Sequence, residues 1–88
     1  MAAEDRQRID RWLWHARLVR TRGAAAALAD AGYVRVNGAR IAAPSRQVRS
    51  GDVITVALER SVRVLKVRGF AEHRGPAGTA QTLYEDLS

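Results

Sequence analysis

Val34-Arg35-Val36-Asn37-Gly38-Ala39-Arg40-Ile41 decides the fold of this 88-residue chain. Val34 and Val36 alternate with Arg35, which is the period of a strand with one buried face. Asn37-Gly38 then supplies two residues that tolerate positive φ, as a two-residue turn between antiparallel strands requires. The stretch predicts a β-hairpin whose return strand opens at Ile41.

Upstream of the hairpin the period lengthens. Ile9, Trp12, Leu13, Ala16 and Val19 fall on one stripe at the helical repeat, so a core-facing helix is predicted, with Asp5 as its cap. Arg8, Arg11 and His15 line one flank of it, and Trp14 and Leu18 fall nearly opposite the stripe. Thr21 reads as the cap of a second helix running through Ala24 to Ala27, Leu28 and Ala31, with Gly32 as its left-handed terminator. The small residues of this helix permit close approach to the first.

Downstream, Pro44-Ser45 interrupts the return strand and Val48 leads into a second turn signal, Gly51-Asp52. Val53, Ile54, Val56 and Leu58 predict one strand, and Val62, Val64, Leu65 and Val67 another, joined by a turn near Glu59 to Ser61. After Gly69 come Phe70, a Gly75-Pro76-Ala77-Gly78 loop and a segment from Ala80 to Leu87. That segment reads as a short C-terminal helical turn whose Leu83, Tyr84 and Leu87 cover the sheet or the first helix. The fold class is α+β: two packed N-terminal helices, a small bent antiparallel sheet and a helical appendage. A chain of this length buries one modest core, so a single domain is expected over residues 1–88, with its core at 8–69 and an appendage at 70–88.

Composition narrows the function. The chain has no cysteine, so it has neither a disulfide framework nor a thiolate nucleophile, and His15 and His73 are too far apart to suggest a zinc site. No metal or cofactor is expected. The acids are scattered, no glycine-rich phosphate loop occurs, and the serines lack a nucleophile-elbow context, so no catalytic residue is assigned and the protein reads as a non-enzyme. No apolar run approaches the length of a bilayer span, and Met1 to Arg11 is charged where a signal peptide is apolar. The expectation is a cytoplasmic protein with no membrane partner.

Charge carries the positive argument. The formal net charge is +6, and fourteen of the fifteen basic residues are arginine, Lys66 being the exception. Between Arg6 and Arg49 there are ten arginines and two acids, Asp10 and Asp30, whereas Ser50 to Ser88 holds five basic and five acidic residues. A polyanion is the natural partner of such a first half, against the plainer reading of a solvated basic face. The candidate surface joins Arg8 and Arg11 on the first helix, Arg20, Thr21 and Arg22 at the corner into the second, and Arg35, Asn37 and Arg40 at the hairpin. A hairpin that lies across a groove and reaches unstacked bases favours RNA over DNA. Asp10 is expected to pair with Arg11 or Arg22, Trp12 to be core, Trp14 to pack under the C-terminal turn, and His15 to sit on the helix flank. Arg60, Arg63 and Arg68 read as solvated strand positions.

Taken together, Arg8-Ile9-Asp10, Trp12-Leu13, Thr21-Arg22, Ala25, Leu28, Gly32, Val34 to Gly38, Val48 and Gly51-Asp52-Val53-Ile54 resemble the S4 RNA-binding domain. Asp10 to Trp14, Pro44-Ser45 and the tail from Gly75-Pro76 to Leu83-Tyr84-Glu85 are similar to its bacterial ribosome-associated heat-shock branch. The resemblance implies a helix pair followed by a bent sheet, and binding to ribosomal RNA. For the heat-shock branch it implies docking on the large ribosomal subunit to recycle stalled subunits that carry nascent chain-tRNA. By position it adds Arg46 to the RNA-facing set. That branch often carries a basic C-terminal extension, and this sequence stops at Ser88. Alternatives are a detached targeting module of an RNA-modifying enzyme, a tRNA-binding or ribosome-assembly factor, and a protein–protein adaptor using Trp14, Leu18 and Tyr84. The chain is expected to act as a monomer.

Overall fold

The computed structural model describes residues 5–88. Strand β2 (Val34–Val36) buries Val34 and Val36 and exposes Arg35, as the alternation requires. Asn37 and Gly38 take φ of 53° and 84° and turn the chain into β3 (Ala39–Arg40), which places Arg35 opposite Arg40. The return strand is two residues long and does not open at Ile41. Ile41 instead drops into the core, and the chain leaves the sheet towards the helix pair.

On its other side β2 pairs with β5 (Val53–Ala57), β5 with β6 (Val62–Val67), and β6 with β7 (Tyr84–Asp86), all antiparallel, in the order β3-β2-β5-β6-β7. A separate two-stranded ribbon joins β1 (Arg6–Arg8) to β4 (Gln47–Arg49).

The ribbon displaces the expected helix start. Asp5 caps nothing, because residues 6–8 pair as a strand and helix α1 runs Ile9–His15. Its open N–H groups are met by the loop before β4: Ile9 donates to the Arg46 carbonyl at 2.8 Å and Asp10 to the Pro44 carbonyl at 3.3 Å. At the second helix the expected caps hold. In α2 (Arg22–Asp30) Thr21 Oγ1 accepts from the Ala24 N–H at 3.0 Å, and Gly32 follows with φ 87°.

The C-terminal segment departs from a helix. One turn of α3 (Ala77–Ala80) and a 3₁₀ turn at Gln81–Leu83 lead into β7, which covers the edge that β6 would otherwise leave open. Leu83 is buried and Tyr84 meets the Trp12 ring edge-on at 6.4 Å, but Leu87 is exposed. The core is centred on Trp12, with Ile9, Leu13 and Ala16 of the predicted stripe packed against Ala25 and Ala29 of α2 and the valines of the sheet.

Residues 69–75 form a strap across α1, held mainly by backbone carbonyls. Trp12 Nε1 donates to Gly69 O (3.1 Å), Gln7 Nε2 to Ala71 O (2.9 Å), Arg11 Nη2 to Glu72 O (2.7 Å) and Arg17 Nε to Gly75 O (2.8 Å). Arg74 reciprocates, donating to the carbonyls of Trp14 and Val19 at 3.0 and 3.3 Å. The strap corrects one expectation: His15 is not a flank residue but is buried at 1% exposure, because residues 71–74 lie over that side of the helix. Trp14 packs rather than stands free, although its cover is the strap and not the C-terminal turn. Trp14, Leu18 and Tyr84, the residues of the adaptor alternative, are each half-buried.

Candidate nucleic-acid interface

The arginine surface is organised by one buried carboxylate. Asp10, 3% exposed, accepts from Arg8 Nη2 at 2.9 Å and Arg8 Nε at 3.1 Å, and lies 3.7 Å from Arg22 Nε. Its Oδ1 also accepts the Arg11 N–H at 2.7 Å. A single acid on α1 thereby holds a guanidinium from β1 and another from the start of α2, and both remain about half exposed. Of the two pairings anticipated for Asp10, that with Arg22 forms; Arg11 offers it only a backbone N–H, and Arg8 is the additional partner. Arg20 and Thr21 stand exposed at the same corner, next to Arg22.

The loop that caps α1 brings Arg46 to this corner. Its carbonyl receives the Ile9 N–H, and its side-chain position is exposed. The same segment, residues 41–46, runs back from the hairpin, so it links the corner to Arg40. Arg40 packs its guanidinium against Gly32 just beyond the C-terminal end of α2. With ten residues from Arg22 to Gly32, the corner and the hairpin arginines are separated by roughly 15 Å along the helix axis. Arg8, Arg22 and Arg46 thus stand near the N-terminal end of α2, and Arg40 with its cross-strand neighbour Arg35 near its C-terminal end.

Two candidates sit differently. Arg11 is turned away from the corner towards the strap by its bond to Glu72 O. Asn37 engages both polar atoms of its side chain within the fold: Oδ1 accepts the Val53 N–H at 2.9 Å and Nδ2 donates to Asp52 Oδ1 at 3.1 Å. Its immediate role is to lock the hairpin turn to β5.

Sequence reasoning passed over Arg6 and Arg49, which face each other across the β1–β4 ribbon. The available signal was the alternation Arg6-Gln7-Arg8, a strand period read there as helix. Arg63 and Arg68, expected to be solvated, pair with Asp86 and Glu85 at 3.0 and 3.3 Å.

Among the described residues no group of three or more His, Asp or Glu side chains could hold a metal ion, and no helix is long and apolar enough to cross a membrane. His15 has its pKa lowered, first by burial and then by Arg11, which suits a neutral packed imidazole. The depression lined by Arg6, Gln7, Arg8, Arg11, Gln47 and Asp5 is shallow, about 330 Å³, and predominantly polar in its lining residues.

Comparison with known proteins agrees with this architecture. The S4 domain family matches residues 7–54. Heat shock protein 15 of Escherichia coli (strain K12) is 37% identical over 81 residues, covering 92% of this chain and 60% of that protein. Small ribosomal subunit protein uS4 of Azorhizobium caulinodans is 39% identical over 72 residues, covering 80% of this chain and 35% of that protein. A solved trimeric structure of Vibrio cholerae Heat Shock Protein 15 superposes with a TM-score of 0.87 at 34% identity, covering 94% of this chain and 83% of that one. The chain therefore spans about 60% of the length of the curated heat-shock relative it matches. Since the family match covers more than half of the chain, from Gln7 of β1 through the helix pair, the hairpin and β4, the chain belongs to the S4 family of RNA-binding domains.

Proposed function

We propose that this domain docks on structured ribosomal RNA through the path Arg40–Arg35, Arg46, Arg8–Arg22 and the Arg20-Thr21 corner. The observation that carries the reading is the pairing of Arg8 and Arg22 on buried Asp10. One carboxylate neutralises part of the charge while orienting two forks outward, and arginine forks suit phosphate oxygens bidentately. The first turn of α2 adds backbone N–H groups at the same corner. Asn37 serves the interface by fixing the hairpin, and Arg11 by fixing the strap.

The likeness to heat shock protein 15 and to ribosomal protein uS4 supports ribosomal RNA as partner, and within that reading we propose the large ribosomal subunit as the docking site and recycling of stalled subunits carrying nascent chain-tRNA as the role. The domain contributes binding and no catalytic step, acts in the cytoplasm, and needs no cofactor. We take the single chain as the RNA-binding unit in this reading.

Sedimentation of the tagged protein through a sucrose gradient of lysate tests the reading. Wild type is expected to travel with large subunits at low salt, and Arg22→Ala/Arg46→Ala to remain at the top. Wild type at the top, with salt-sensitive binding to purified tRNA or small-subunit RNA, would reject the large subunit and retain RNA binding.

A further inference from the structure

We infer that the outer face of the β1–β4 ribbon is a second phosphate-backbone subsite, formed by Arg6 and Arg49 with Arg8 and Gln47 beside them. The inference rests on the RNA-binding reading above and extends it to residues outside the helix–hairpin path.

The register fixes the arrangement. Arg6 lies opposite Arg49, Gln7 opposite Val48, and Arg8 opposite Gln47. Alternate residues of a strand share a face, so Arg6, Arg8, Gln47 and Arg49 all point one way and Gln7 and Val48 the other. Burial agrees: Gln7 and Val48 are buried, and the other four are exposed. Gln7 and Val48 pin the inner face, Val48 within the core and Gln7 through Ala71 O, so the ribbon cannot turn its arginines inward.

Directly opposed like charges weaken an antiparallel pair. Among the described residues the carboxylate–guanidinium pairs involve Arg8, Arg22, Arg63 and Arg68, and neither Arg6 nor Arg49 is among them. Asp5 borders the depression beside Arg6, but three arginines, Arg6, Arg8 and Arg11, line it as well. The ribbon sets two guanidinium-bearing residues directly opposite each other, Arg6 and Arg49, and a bound phosphodiester would lower the energy of both. Arg6 and Arg8 are about 7 Å apart along their strand, far enough to engage separate phosphates. Arg8 belongs to both surfaces, since it also pairs with Asp10, so the ribbon continues the path from the α2 corner without a break. Recognition here is of backbone charge and independent of base sequence.

The test is fluorescence anisotropy of a labelled mixed-sequence RNA stem-loop, titrated with the full chain from 50 to about 200 mM salt, a range over which counterion release is readily measured. For Arg6→Gln/Arg49→Gln the slope of log K against log salt should become shallower by about 1 to 2, at about 0.9 per phosphate contact. Affinity at low salt should fall about tenfold, with the melting temperature unchanged or raised. Arg6→Lys/Arg49→Lys should keep most of the slope, and Arg63→Gln/Arg68→Gln should leave both readouts at wild-type values. A folded Arg6→Gln/Arg49→Gln variant that binds as wild type, while Arg22→Ala/Arg46→Ala is weakened, overturns the ribbon subsite and spares the RNA-binding reading. An equal loss in Arg63→Gln/Arg68→Gln reduces the effect to net charge and overturns the subsite as well. A wild-type chain that binds no RNA overturns both.

Discussion

Arg74 holds Trp14 twice: its guanidinium lies 5.9 Å from the centre of the indole ring, and its Nε donates to the Trp14 carbonyl at 3.0 Å. A residue from the neutral half of the sequence thus closes the C-terminal end of α1, where the Trp14 carbonyl also accepts the Arg17 N–H at 3.1 Å.

Arg74→Ala is expected to lower stability by about 2 kcal/mol, combining a charged hydrogen bond with a partly desolvated cation–π contact. Urea denaturation gives the magnitude. Amide exchange should accelerate along residues 69–75 more than in β5. Arg74→Lys should recover less than half, because a point charge cannot span the Trp14 and Val19 carbonyls together.

Asp10→Asn keeps an acceptor for the Arg11 N–H but loses the charge that orients Arg8 and Arg22. A loss of about 1 to 3 kcal/mol is expected, since the carboxylate is buried and both guanidinium partners are left without it. Chemical denaturation checks this, and a fully stable variant would show that the loop at Pro44 to Arg46 positions the corner unaided.

His15 predicts an acid-side weakness. Burial, Arg11, Arg22 and His73 lower its pKa below the ordinary 6.5, and only the Ala71 backbone opposes them. Below pH 6.5 the unfolded chain takes up a proton that the folded chain resists, so the unfolded state binds more protons and stability falls as pH drops. The contribution is complete above about pH 6.5 and is lost progressively from there down to the depressed folded value. A series of denaturation curves from pH 8 to about pH 5 should show the decline, its slope growing with the size of the pKa depression. His15→Gln should flatten that window.

Asn37→Ala separates a structural role from a contact role. The variant loses the bonds to Val53 and Asp52 and places an alanine at φ 53°, so about 2 kcal/mol of stability should go. RNA affinity of the folded fraction, measured well below the melting temperature, should stay within about twofold of wild type, because a lost base-edge contact would be worth about 1 to 3 kcal/mol. A larger drop would place Asn37 in direct contact with RNA.

The hairpin, the helix pair and the central strands were legible because their signals are local. Asn37-Gly38 announces its own dihedrals, Thr21 its cap, and Val34 and Val36 their buried face. What was not legible depends on distant partners. Residues 6–8 are a strand only because Gln47 to Arg49 pair with them, and Tyr84 to Asp86 only because β6 offers an edge. The site divides the same way: the helix pair and the hairpin could be named from sequence, whereas Asp10 as the hub of Arg8 and Arg22, and Arg11 as a strap ligand, required the tertiary contacts.

The strap has one more consequence. Gln7, Arg11, Trp12 and Arg17 grip it by main-chain oxygens, which every amino acid carries. Its route over α1 is therefore encoded mostly in the helix and its flanks, and the side chains at exposed Glu72 and His73 are open to replacement. Those two positions offer a place to graft a reporter label or a short recognition sequence at a defined distance from the arginine path.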